Sequence, residues 1–153
     1  MTSWHRIRTS IEQETEDLGC EDAFEYVKGL FKQNVRKDVK PDNLILLVGY
    51  IEEQFFDCQA EFDWVYAMSY VVKRGTYQAF KRFLREYENE QLLYPVILET
   101  ADEKGRLKTV VGWLDELGLA EEALGTYQWY VRDVLQRPTK RSERIVAYLE
   151  TII

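Results

Sequence analysis

The sequence predicts an all-α protein, and three observations carry that expectation. Apolar residues recur at helical spacing along most of the chain, single Pro and Gly residues punctuate those stripes, and no run alternates apolar with polar as a half-buried strand would. A chain of 153 residues with 46% hydrophobic and 14% aromatic content carries enough apolar area for a packed core, which argues against disorder. The expected architecture is a compact domain of about eight or nine short antiparallel helices joined by brief polar turns. It reads as a single helical domain over 1–153, with a possible core at 12–99 and a C-terminal helical extension at 105–153.

Trp4, Ile7, Ile11 and Leu18 fall on one stripe of a first helix, with Gly19 as its stop. Ala23, Phe24, Val27, Leu30, Phe31 and Val35 make a second stripe. Pro41 suits the opening turn of a third helix over 42–56, because its fixed φ is already helical. There Leu44, Leu47, Val48, Ile51 and Phe55 share a face while Leu46 and Tyr50 lie off it, so the helix reads as central. Residues 59–73 form an almost wholly apolar helix, closed by Lys73, Arg74 and Gly75.

The next helix is the cleanest amphipathic one, with Phe80, Phe83, Leu84 and Tyr87 at i, i+3, i+4 and i+7. Leu92, Leu93, Val96, Ile97 and Ala101 mark a sixth helix, which tolerates Pro95 only in its first turn. Leu107–Leu117 stops at Gly118, and Leu119–Gln136 stops before Pro138. A last segment, Ser142–Ile153, carries Ile145, Leu149 and Ile152 on one side.

The net charge of −7 disfavours nucleic acid and anionic membrane as partners, since a phosphate backbone needs a concentrated basic face. Basic residues do cluster, at Lys28, Lys32, Arg36, Lys37 and Lys40 and again at Lys73, Arg74, Lys81, Arg82 and Arg85. In an acidic chain such groups suit acidic protein surfaces. An acidic inhibitor that imitates a phosphate backbone is an alternative, but −7 over 153 residues is dilute for that role. Cys20 and Cys58 lack zinc-site spacing and read as free thiols in a reducing compartment. No apolar signal segment opens the sequence and no run reaches the length of a bilayer span, so the expected location is the cytoplasm.

Catalytic chemistry has little to work with. The lone histidine, His5, sits near a terminus and reads as a surface or capping residue. No Ser or Cys stands in a nucleophile-elbow context, no Gly-rich run could cradle phosphate, and no Glu-x-x-His motif supports a di-metal centre. The acidic clusters (Glu12, Glu14, Glu16, Asp17; Glu52, Glu53; Glu121, Glu122) sit at helix starts or polar faces. No catalytic, cofactor or metal site is expected, and the chain reads as a protein–protein interaction module. Trp129 lies about 180° from the stripe Ala123, Leu124, Tyr127, Val131 and Val134, on a polar face shared with Arg132. A tryptophan there is a candidate binding hot spot unless another helix covers it.

Residues 65–98, with Val71, Val72, Arg74, Gly75, Ala79, Phe80, Phe83 and Leu93 as the matching positions, resemble the fourth and fifth helices of caspase-recruitment domains in the death-fold superfamily. That resemblance implies homotypic assembly through complementary charged faces. Its basic side would be Lys73, Arg74, Lys81, Arg82 and Arg85, and its acidic side Glu52, Glu53, Asp57, Glu61 and Asp63. Asn43–Gln59 does not carry the pattern clearly, and residues 105–153 fall outside such a domain. A second stretch, Gly118-Leu-Ala-Glu-Glu-Ala-Leu followed by Tyr127, is similar to the second helix of a tetratricopeptide unit, although no copy recurs at a fixed period. That likeness implies a scaffold that binds a peptide or partner helix.

Overall fold

The computed structural model describes residues 3–37, 40–55 and 62–153. Among them stand nine α-helices, one π-helical segment and no strand, so the all-α class holds. The chain divides into two compact units, Met1–Glu86 and Tyr87–Ile153. The division falls at the end of the amphipathic helix, inside the 12–99 stretch that periodicity alone suggested as a core.

The first unit holds α1 (Trp4–Glu14), α2 (Cys20–Val35), α3 (Pro41–Gln54), α4 (Trp64–Arg74) and α5 (Tyr77–Glu86). α1 is shorter than its stripe implies. The Ile11 carbonyl accepts both the Thr15 hydroxyl at 2.6 Å and the Thr15 N–H at 3.0 Å, and the helix closes there. Leu18 therefore lies beyond the helix and is 42% exposed, while Gly19 serves as the N-cap of α2 instead of the stop of α1. Pro41 does open α3, and Leu46, off the apolar face, is exposed.

α2 packs on α3 and α4, and α5 packs on the same two helices. Phe31 of α2 is fully buried at their centre, edge-on to Phe62 at 5.5 Å and near Tyr70 and Phe83 at 6.1 and 6.3 Å. Gly75 ends α4 for a steric reason. A Cβ there would stand 2.5 Å from the Val71 carbonyl oxygen, so only a bare α-carbon permits the turn into α5. Thr76 then caps α5 by accepting the Ala79 N–H at 3.2 Å.

The second unit holds α6 (Leu93–Glu103), α7 (Leu107–Glu116), α8 (Ala120–Trp129) and α9 (Lys140–Ile152). α6 lies against the other three, and Ile97, Leu98, Val111, Leu114, Ile145 and Leu149 are fully buried between them. Gly118 adopts φ +73° after α7, the left-handed stop its position suggests.

One element departs from its expectation. Leu119–Gln136 is not one α-helix, because at Tyr130 it widens into a π-helical segment, Tyr130–Leu135, and it ends at Gln136 with φ 66°. A π turn takes an extra residue, so positions beyond it rotate away from the α-helical stripe. Val134, placed on the inner stripe by ~100° periodicity, is accordingly 48% exposed. α9 starts two residues before Ser142, since Thr139 and Ser142 form a reciprocal capping box that buries Ser142.

Among the described residues no helix is long and apolar enough to cross a membrane. Cys20 is disulfide-bonded, which corrects its reading as a free thiol. Cys58, Asp57 and Glu61 lie outside the described residues.

Candidate functional site

The most developed surface feature of the first unit is a seam between α2 and α4. Lys28 and Lys32 on α2 and Arg36 at its C-cap recur every four residues, so one face of that helix and its end present three cations in a row. On α4 the same spacing aligns Tyr66 and Tyr70, whose rings stack with centroids 6.5 Å apart and planes 14° from parallel. The Lys28 ammonium lies 5.4 Å from the Phe24 ring centroid and 6.0 Å from that of Tyr66. Lys32 and Lys73 both reach Tyr70, at 5.8 and 5.9 Å, and the Arg36 guanidinium donates to the Tyr70 hydroxyl at 3.2 Å.

Residue 28 thus faces 66 and residue 32 faces 70, so the two helices run parallel and in step. Their N-terminal ends carry Glu21, Asp22 and Asp63, and their C-terminal ends carry Lys32, Arg36, Lys73 and Arg74. The helix dipole accounts for that ordering along each helix. The parallel packing adds the two gradients together. Acidic side chains gather at one end of the helix pair and basic side chains at the other.

The acidic end is joined by α3. Glu52 is exposed on α3, and partial desolvation followed by the charge of Asp63 raises its carboxyl pKa, so these two predicted residues are close enough to interact electrostatically. Asp63 also works locally, accepting the Tyr66 N–H at 3.0 Å as the N-cap of α4. Glu53 is exposed beside Glu52.

The basic residues do not all stand alike. Arg74, Lys81 and Arg85 are exposed, and among the described residues none of them, nor Lys32, Arg36 or Lys73, makes an ion pair. Arg82 is different. Its side chain is 20% exposed and bridges Asp42 of α3 at 2.6 Å and Glu86 at 2.9 Å. These bonds hold the Asp42 carboxyl below its usual range and raise the guanidinium pKa further, so Arg82 is a strut between α3 and α5. The signal for that role was present in the sequence only as the i, i+4 pair Arg82–Glu86.

In the second unit Trp129 is half-buried, so its polar face is partly covered, and Arg132 is exposed and paired to the adjacent Asp133 at 2.9 Å. Periodicity missed two features there. Asp102 of α6, only 7% exposed, accepts Arg144 at 2.9 and 2.6 Å and lies 3.3 Å from Arg141, both on α9. The Tyr127 hydroxyl is buried without a hydrogen-bond partner among the described residues, and burial drives its pKa upward. Neither arrangement offers a nucleophile beside a base. His5 is exposed on α1, and no group of three His, Cys, Asp or Glu side chains is arranged to hold a metal among the described residues.

Comparison with protein-family models, with curated proteins and with solved structures finds no match to this chain.

Proposed function

We propose that the chain is a non-catalytic interaction module whose first unit binds through its charged ends, the basic end of one copy receiving the acidic end of another. The observation that carries this reading is the convergence of Lys32, Lys73 and Arg36 on Tyr70 with no carboxylate to balance them among the described residues. Three cations around one ring repel one another, and an acidic surface relieves that repulsion. Glu52, Glu53 and Asp63 supply such a surface on the same unit.

An interface between opposite ends is head-to-tail, so it propagates into a ring or a filament instead of closing as a two-fold dimer. Its charges act mainly on encounter and specificity, which makes association sensitive to salt. The Cys20 disulfide favours an oxidising compartment for this module over the cytoplasm that composition suggested, since structural disulfides persist mainly there.

Light scattering after size exclusion tests the reading with two variants. Lys32→Glu with Lys73→Glu cancels the charge of the basic end, where Arg36 and Arg74 remain, and Glu52→Lys with Glu53→Lys removes most of the charge of the acidic end; each variant keeps its other end intact. Wild type should grow beyond 18.2 kDa at low salt, each variant alone should not, and the two mixed should associate again. A monomer under every condition, or variants that assemble like wild type, sinks self-assembly through these ends.

A further inference from the structure

In the second unit the π-helical segment and α9 form the two walls of a groove of about 520 Å³, closed at one end by the turn through Pro138. Its floor is apolar: Val131 from one wall, Val146 and Ala147 from the other. Ser142 also lines it, but the Ser142 hydroxyl is already engaged. It accepts the Thr139 N–H at 2.7 Å and donates to the Thr139 carbonyl at 3.0 Å. Gln128 and Gln136 also line the groove, but the surface between the walls at Val131, Val146 and Ala147 is apolar and suits apolar side chains.

The rims carry opposite charges. The π-helical wall and its turn contribute Arg132 and Arg137, and α9 contributes Glu143 and Glu150. Arg137, Glu143 and Glu150 make no ion pair among the described residues, and the partner of Arg132 is its own neighbour Asp133. All four are exposed, and Arg137, Glu143 and Glu150 are available, while Arg132 would have to exchange its neighbour Asp133 for the occupant. An occupant that lies along the groove presents one flank to arginines and the other to glutamates, and an occupant with like-charged flanks meets repulsion on one side.

We infer that this groove docks an amphipathic helix of a partner protein, apolar on the face that enters and acidic on one flank, basic on the other. A helix between two helical walls is the ordinary helix-in-groove mode, with anchors at i, i+3, i+4 and i+7 filling the floor. The inference is independent of the charged ends of the first unit.

Three synthetic helical peptides of about 15 residues test it, long enough to run the length of α9. All carry the same leucine stripe. One has glutamate on one flank and lysine on the other, one has glutamate on both, and one has lysine on both. Each is titrated into the full chain and followed by fluorescence anisotropy and by backbone amide shifts.

The mixed-flank peptide should bind about fivefold or more tighter than either other peptide, with shifts centred on Val131, Val146 and Ala147. Val146→Lys should abolish that binding, and Arg137→Glu should move the preference to the all-lysine peptide. Arg137 is exposed and Val146 is half-buried, and circular dichroism of each variant checks that the helices remain. The proposal is overturned by no binding, by equal binding of the three peptides, or by shifts elsewhere on the chain. It is equally overturned if the groove signals move with protein concentration alone, because the occupant would then be a second copy.

Discussion

Arg36, the C-cap of α2, donates a 3.2 Å hydrogen bond to the hydroxyl of Tyr70, which stands 34 residues later on α4. The ring beneath that hydroxyl packs on Phe31 and carries Lys32 and Lys73. The ring should therefore matter more than the hydroxyl. Tyr70→Phe leaves an exposed hydrogen bond unmade and should change stability by less than about 0.5 kcal/mol. Tyr70→Ala also opens space beside buried Phe31 and should cost about 2 kcal/mol or more in urea denaturation. Equal effects of the two would assign the seam to the hydroxyl.

Arg82 and Lys81 are neighbours on α5 with different work. Lys81→Glu changes an exposed charge and should leave the fold intact. Arg82→Glu sets a carboxylate against Asp42 and Glu86, and amide exchange in α3 and α5 should accelerate about tenfold or more. Unchanged exchange in both helices would remove Arg82 from its role as a strut.

The Asp102–Arg144 pair makes stability depend on acid. The Arg144 guanidinium holds the Asp102 carboxyl below its ordinary range, so the folded-state pKa lies under the unfolded one. The contribution of such a pair is complete above the unfolded carboxylate pKa and is lost as pH falls through the lowered folded value. Arg144→Gln should therefore melt earlier than wild type at neutral pH and converge with it once the pH has fallen through the lowered folded value. Since the Arg144 side chain is 58% exposed, solvent screening should keep the neutral-pH loss small. A gap that persists in acid would give the effect to packing.

Tyr127 buries a hydroxyl that finds no partner among the described residues. Removing that group while keeping the ring should be neutral or raise stability by up to about 1 kcal/mol, so Tyr127→Phe should not lower the melting temperature. A clear drop would mean that the hydroxyl is satisfied in solution.

The Cys20 disulfide predicts a simple mass result. Alkylation of the denatured but unreduced protein should leave Cys20 unmodified, and prior reduction should expose it. Alkylation without reduction would restore the free thiol that composition suggested.

What the sequence determined by itself is the set of helices and most of their ends. Stripes at 3.6-residue spacing reflect which side chains must leave water. Pro41, Gly75 and Gly118 act through their own backbone restrictions, so all of this is local physics. Where local readings failed, a specific hydrogen bond or an added turn residue intervened: Thr15 closing α1, the capping box at Thr139, and the π turn that exposes Val134.

Only tertiary structure decided how the charges combine. Lys32 and Lys73 belong to separate basic runs in sequence, and the parallel packing of α2 and α4 brings them to one ring. Arg82 sits in the same run as Lys81 and Arg85 but is spent on Asp42, 40 residues earlier. Periodicity tells which face of a helix is wet. Whether a charge on that face meets a partner or stays free depends on which helix lies beside it, and that is set by packing across the whole unit.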